Sequence, residues 1–202
     1  MKKGLIITIV IIAVLAIIGF AIGPGFYNTS IELKEDATAQ WGNVESSYQR
    51  RADLIPNIVN TAKGYAQFEQ ETLTKVIEAR SKATSVTIDP TNITPAQLEQ
   101  FQEVQSNMTG ALSRLLAVFE RYPDLKANEN FKELINELSR TENRINVERN
   151  RFNETARPFN KHIQTFPNNM INLFIGKFEE IGYFKAKEGS ADAPEVNFDF
   201  NN

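Results

Sequence analysis

The sequence predicts an all-α protein: an N-terminal single transmembrane helix, then an elongated antiparallel helical bundle of one long kinked helix, two medium helices and a short fourth helix. Three observations predict it. Leu5 to Ile22 is a run of 18 residues without a charge or an amide. Ile31 to Ala83 carries an apolar stripe at helical spacing, and Thr94-Pro95-Ala96-Gln97 opens a further amphipathic run that is followed, beyond Pro123, by another.

Composition limits the function classes. The chain has 202 residues, 42% hydrophobic and 23% charged, which suits one ordinary domain with a core. A net charge of −3 gives no support for nucleic-acid binding, which shows a basic surplus or face. The absence of cysteine excludes disulfides, thiol catalysis and cysteine metal sites.

As a helix, Leu5 to Ile22 reaches roughly 27 Å, close to the roughly 30 Å hydrocarbon core, so the lipid bilayer is its expected partner. A cleavable signal peptide is the rival reading. The run exceeds the usual apolar length of about 7–15 residues, and Ala21-Ile22-Gly23 is a poor cleavage site, so an uncleaved signal anchor is preferred. Lys2 and Lys3 precede the run and the first charge after it is Glu32. The excess of positive charge on the short side places the N-terminus in the cytoplasm and the bundle outside, as a single-pass protein of the cytoplasmic membrane. Met1 to Gly4 alone would then face the cytoplasm, which argues against a signalling receptor. The expected domains are 1–25, stub and anchor; 26–184, extracytoplasmic bundle; and 185–202, flexible tail.

Gly23-Pro24-Gly25 is expected to end the membrane helix, with Phe26 and Tyr27 at the interface. Thr29-Ser30-Ile31-Glu32 reads as a capping box that starts the long helix. Its stripe runs through Ala37, Trp41, Val44, Tyr48, Ala52, Ile55, Val59, Ala62, Ala66, Glu69, Leu73, Val76 and Arg80, all apolar or aromatic but Glu69 and Arg80, a mean step of about 3.6. The stripe keeps phase across Pro56, which predicts a kink near Ala52 and not a turn. Residues 85–94 read as a loop. Thr94, Pro95 and Gln97 then supply N-cap, first-turn proline and N3 partner, and that helix should end near Tyr122. The next, from about Asn128, carries Phe131, Leu134, Leu138, Ile145, Phe152, Ala156 and Phe159. Pro158 should kink or interrupt it and Phe166-Pro167 end it. Residues 168–178 form a short amphipathic segment with Ile171, Phe174, Ile175 and Phe178 as anchors, and the chain after Phe184 reads as linker and tail.

A search for chemistry returns no phosphate loop, no G-x-S-x-G, no H-E-x-x-H and no paired Glu-x-x-His motif. The one imidazole, His162, reads as a surface or interface residue. No catalytic residue, cofactor, metal ligand or small-molecule substrate is expected, and the chain is read as a non-enzyme. The charges beside the core suggest a different role. Arg50, Arg51 and Asp53 flank the stripe, while Glu142 and Arg149 share the face of Leu138, Ile145 and Phe152. Charges near a core are normally paired, so Arg50 or Arg51 is expected to pair with Glu142 and fix register; the alternative is that both snorkel to solvent.

Tyr27-Asn28 after an anchor and the block Trp41-Gly42-Asn43-Val44-Glu45-Ser46-Ser47-Tyr48-Gln49-Arg50-Arg51-Ala52-Asp53-Leu54-Ile55-Pro56-Asn57 resemble the LemA family closely. So do Arg121-Tyr122-Pro123-Asp124-Leu125, Thr141-Glu142-Asn143-Arg144-Ile145, Arg151-Phe152-Asn153 and Phe166-Pro167. The resemblance implies a bacterial single-pass membrane protein with an elongated helical bundle, and it supplies no enzymatic activity or cofactor. Trp41, Tyr48, Arg50, Arg51, Asp53, Pro56, Glu142 and Arg149 are read as a structural signature. The expected function is that of a scaffold or interaction module at the cell envelope, through protein partners or self-association. The alternative is an accessory subunit of a membrane protease or other envelope enzyme.

Overall fold

The computed structural model describes residues 2–64 and 69–186, without the side chains of residues 2, 14–16, 18 and 19. The described part is all-α. Its elements are α1 (Lys2–Lys63), α2 (Gln70–Ser85), α3 (Pro95–Phe119), α4 (Pro123–Ala127), α5 (Glu129–Gln164) and α6 (Asn168–Ile171), which runs on into a π-helical turn, Asn172–Gly176. The expected tail from residue 187 onward lies outside the described residues.

Helices α1, α2, α3 and α5 alternate in direction around two hydrophobic clusters. The near cluster gathers Phe26, Trp41, Tyr48, Leu98, Phe101, Ile145, Phe152 and Phe159; the far one gathers Ile55, Val59, Leu73, Val76, Met108, Leu115, Phe131 and Leu138. Helix α3 therefore runs from near to far and α5 returns. Buried α5 positions recur every seven residues, at Phe131, Leu138, Ile145, Phe152 and Phe159, the repeat that keeps one helix seam facing its partners. Against α1 the antiparallel register is visible in polar contacts: Phe26 with His162, Gln40 with Glu148 and Arg50 with Glu137.

The expected long helix over 31–83 is two helices. Helix α1 stops at Lys63 and α2 folds back beside it, so that the Arg80 Nε donates to the Ala52 carbonyl at 2.7 Å. The stripe stays in phase because Ile55, Val59, Leu73 and Val76 all enter the same cluster; periodicity records which face is buried, not which way the helix runs. Pro56 is passed without a break, as expected.

The helix end expected at Gly23-Pro24-Gly25 is absent, and at Pro158, where a kink or an interruption is expected, no interruption occurs. Helix α1 continues through Pro24, and α5 through Pro158. A proline in a helix interior costs about 3 kcal/mol, and here the burial of side chains next to each proline opposes that cost. Phe26 is buried and stacks on His162 at 5.2 Å, while Ala156 and Phe159 are fully buried. Residues 29–32 consequently lie inside α1, where the buried Ser30 hydroxyl donates to the Phe26 carbonyl at 2.8 Å. The start of α3 is the capping box read from sequence: Gln97 N–H donates to Thr94 Oγ1 at 3.3 Å, and Thr94 N–H donates to Gln97 Oε1 at 3.1 Å.

Residues 178–186 are an extended strap along α5 and α3. With no helix or sheet to pair its backbone, amide side chains take that role. Asn160 exchanges two hydrogen bonds with Ile181 (2.8 and 2.9 Å), and Asn153 does the same with Phe184 (both 2.9 Å). Gly182 donates to the Ile93 carbonyl at 3.0 Å; a Cβ there would stand 2.9 Å from Pro95 Cα, so only glycine fits. Asn160→Ala strips a buried amide and carbonyl of their partners, which should cost about 1–3 kcal/mol. Hydrogen exchange at Ile181 would report it as faster exchange, with the α3 amides unchanged.

Among the described residues no helix is long and apolar enough to cross a membrane, so they do not support the transmembrane helix expected over residues 5–22. The described large apolar side chains of the N-terminal part of α1 are exposed, from Leu5 at 65% to Phe20 at 85%.

Candidate functional site: the Arg51 layer

Arg51 lies where the two hydrophobic clusters meet. It is an interior cation, only 2% exposed, carried there by the α1 face that also buries Tyr48, Ala52 and Ile55. Its Nη1 donates to Thr109 Oγ1 at 2.9 Å and to Glu142 Oε1 at 2.8 Å. Its Nη2 donates to the Gln105 side-chain oxygen. The guanidinium carbon sits 5.0 Å from the Tyr48 ring centre. Gln105 in turn donates to the Ala83 carbonyl at 3.1 Å. One polar layer thus ties α1, α2, α3 and α5 together. A planar fork with several donors suits such multiple recognition in a way an ammonium does not.

The other signature residues separate around it. Arg50, one step away on α1 and therefore about 100° around the helix, points outward and donates through Nε to Glu137 at 3.0 Å. Arg51, not Arg50, reaches Glu142. Asp53 is exposed and accepts from Gln49, on its own helix, at 2.8 Å. Arg149 does not join the layer: its Nη2 donates to the Lys185 carbonyl at 2.9 Å, and its guanidinium covers the Phe184 ring at 4.8 Å. Trp41 is buried between Phe101, Phe152 and Phe184, with ring centres 5.4, 5.5 and 6.0 Å away. Pro56 is half-buried inside α1.

Glu148, on the same α5 face, is a second buried charge, 4% exposed. It accepts from Gln40 at 2.8 Å and from Arg151 at 3.2 Å. The sequence signal for it was weak, since Glu148 sits among surface-type residues and Gln40 is 108 positions away. His162 is engaged on both nitrogens, with Nε2 3.3 Å from the Phe26 carbonyl and Nδ1 3.2 Å from the Asn168 amide. The neutral Nε2–H tautomer satisfies both contacts.

Burial raises the Tyr48 phenol above its ordinary value, against the opposing pull of Arg149 and Arg51. The hydrogen bond from Arg50 holds the Glu137 carboxyl below the usual range, with Arg140 adding to it. A depressed folded value stabilises the fold above the ordinary carboxylate value of about 4.3, and that stabilisation is lost as pH falls below it. Glu137→Gln should therefore destabilise the protein at pH 7, by an amount that shrinks progressively as the pH is taken below the ordinary carboxylate value, as read from thermal melts of the pair across an acid pH series.

The layer borders a cavity of about 80 Å³ lined by Tyr48, Arg51, Ala83, Val86, Phe101 and Gln105. That is well below the several hundred Å³ of a small-molecule site. A larger groove of about 520 Å³ runs between α2 and α3, with Lys75, Glu78, Lys82 and Arg114 on its walls. Among the described residues no group of three or more histidines or acidic residues could hold a metal ion.

The model of the LemA family matches residues 40–198, a span that starts beside Trp41 and includes the Arg51 layer and the strap. The chain is 26% identical over 214 residues to magnetosome protein MamQ 2 of Paramagnetospirillum magneticum, covering 96% of this chain and 77% of that protein. It is 30% identical over 145 residues to protein LemA of Metamycoplasma hominis, covering 72% of this chain and 62% of that protein. To magnetosome protein MamQ of Magnetospirillum gryphiswaldense it is 25% identical over 216 residues, covering 97% of this chain and 78% of that protein.

Proposed function

The chain belongs to the LemA family, and from that premise we propose that it is a membrane-anchored, non-enzymatic helical bundle that serves as a scaffold at the outer face of the cytoplasmic membrane. The observation that carries this reading is the continuity of α1 from Lys2 to Lys63. If residues 5–22 cross the bilayer, one helix serves as both anchor and bundle spine, and it holds the far cluster roughly 50–60 Å from the membrane at 1.5 Å per residue. The uncharged run and the exposure of its described side chains support the crossing. The Lys2–Lys3 pair supports a cytoplasmic N-terminus.

The buried and half-buried polar groups support a structural role. Arg51, Gln105, Glu148, Asn160 and His162 are each held by side-chain or backbone partners, an arrangement that fixes helices rather than activating a nucleophile. The groove between α2 and α3 presents both charge signs and is a surface on which a protein partner can be sought.

Two measurements test the reading. A topology reporter fused after Asn202 should be active only outside the cytoplasm; cytoplasmic activity would overturn the anchor. Crosslinking in membranes through residues placed along the α2–α3 groove should then yield a defined protein partner or a second copy. Turnover of a substrate by the purified chain, abolished by His162→Ala, would overturn the non-enzymatic assignment. A stoichiometric envelope enzyme in the crosslinks would replace the scaffold with an accessory subunit.

A further inference from the structure

The segment after α5 has an unusual surface. Met170, Leu173 and Phe174 are 52, 66 and 80% exposed, although the segment is amphipathic and two of its apolar residues, Ile171 and Phe178, do pack on the near cluster. Phe174 and Ile175, read from sequence as anchors onto the bundle, are both exposed. The reason is geometric. The π-helical turn places an extra residue in the helix, and Lys177 closes it in the left-handed conformation (φ 46°), so the face turns outward after Ile171.

This exposure is held in place. Asn172 accepts from Phe178 N–H at 2.8 Å and donates to its carbonyl at 2.9 Å, and Lys177 N–H donates to the Asn172 carbonyl at 2.8 Å. The turn is thus closed at its base by three hydrogen bonds while its apex presents apolar side chains. Large exposed apolar patches with such support mark contact surfaces.

Position identifies the occupant. Ile175 Cδ1 lies 3.0 Å from where a Cβ on Gly23 would stand, at the C-terminal end of the uncharged run of α1. The exposed Phe20, Ile22 and Tyr27 flank that point. The apolar apex is therefore continuous with the lipid-facing surface of α1 and level with the depth at which aromatic side chains favour the bilayer interface. The net charge of −3 does not favour attraction to anionic headgroups, so apolar insertion is the chemistry available.

We propose that residues 168–176 form a second membrane contact, in which Met170, Leu173 and Phe174 insert into the interface of the leaflet where α1 emerges. This rests on residues 5–22 being the anchor and adds to it: two contacts fix the tilt and rotation of the bundle, whereas a lone helix leaves it free to pivot.

The chain has no cysteine, so a single introduced cysteine carries a fluorophore uniquely. Full-length Phe174→Cys, Ile12→Cys and Val147→Cys, each labelled with an environment-sensitive dye, are reconstituted in phosphatidylcholine–phosphatidylglycerol vesicles with and without spin-labelled lipid. Residues 12 and 174 should lose at least half of their emission to the lipid quencher, and residue 147, an exposed apolar position on α5, should lose almost none. Quenching at 12 with none at 174 overturns the second contact and leaves the anchor standing. Loss of quenching at 12 overturns the anchor itself. A residue 174 label shielded from lipid but crosslinked to another copy assigns the patch to self-association and overturns the proposal.

Discussion

Arg51→Ala is expected to lower the stability of the full chain in detergent micelles by about 3–5 kcal/mol, the usual loss when one partner of a buried charged network is removed. Denaturant unfolding followed through Trp41, the one tryptophan, measures it. The change deletes donors to Thr109, Glu142 and Gln105 together, and Gln105 is itself buried. Glu142 is 31% exposed and can turn to water, so Glu142→Gln should cost only about 1–2 kcal/mol. Arg51→Met, which fills the space without charge, should fall between the alanine variant and the parent. An Arg51→Ala loss below about 1 kcal/mol would remove the layer from any account of bundle register.

The parts of this architecture legible in the sequence are those specified by neighbours. The α3 start is written within four residues, Thr94 to Gln97, and appears as read. The buried face of α5 is written in one repeat and needs no information from elsewhere. What was not legible depends on distant partners. The α1–α2 reversal leaves the apolar phase unchanged, so no face-counting argument could separate a hairpin from a rod. Pro24 and Pro158 obey a local rule until Phe26, Ala156 and Phe159 bury around them. Adjacent arginines at 50 and 51 look equivalent in a string; the 100° step between them sends one to solvent and the other to the interior. The strap was unreadable because its backbone partners, Asn153, Asn160 and Gln102, lie 31, 21 and 83 positions away. The seven-residue spacing of the two asparagines on the buried side of α5 was the one available hint.

Trp41 poses the second large effect, and there the choice of replacement decides the size. The ring is 1% exposed, meets Phe101 and Phe152 edge-on, and lies parallel to Phe184 at an interplanar angle of 13°. Trp41→Ala should cost about 3–5 kcal/mol, as emptying a core site of a large aromatic does. Yet its indole N–H has no hydrogen-bond partner among the described residues, and a buried unpaired donor is itself unfavourable by about 1–3 kcal/mol. Trp41→Phe removes that donor while leaving a void worth about 1 kcal/mol. The phenylalanine variant should therefore unfold within about 1 kcal/mol of the parent, as measured by far-UV circular dichroism. The readout that separates packing from mere hydrophobicity is the strap. Because Phe184 stacks directly on the indole, Trp41→Ala should speed amide exchange at Phe184 and Lys185 well before α3 responds, whereas Trp41→Phe should leave the strap protected. Equal destabilisation by both substitutions would mean that the indole N–H has a partner in solution, and that Trp41 acts through hydrogen bonding as well as packing.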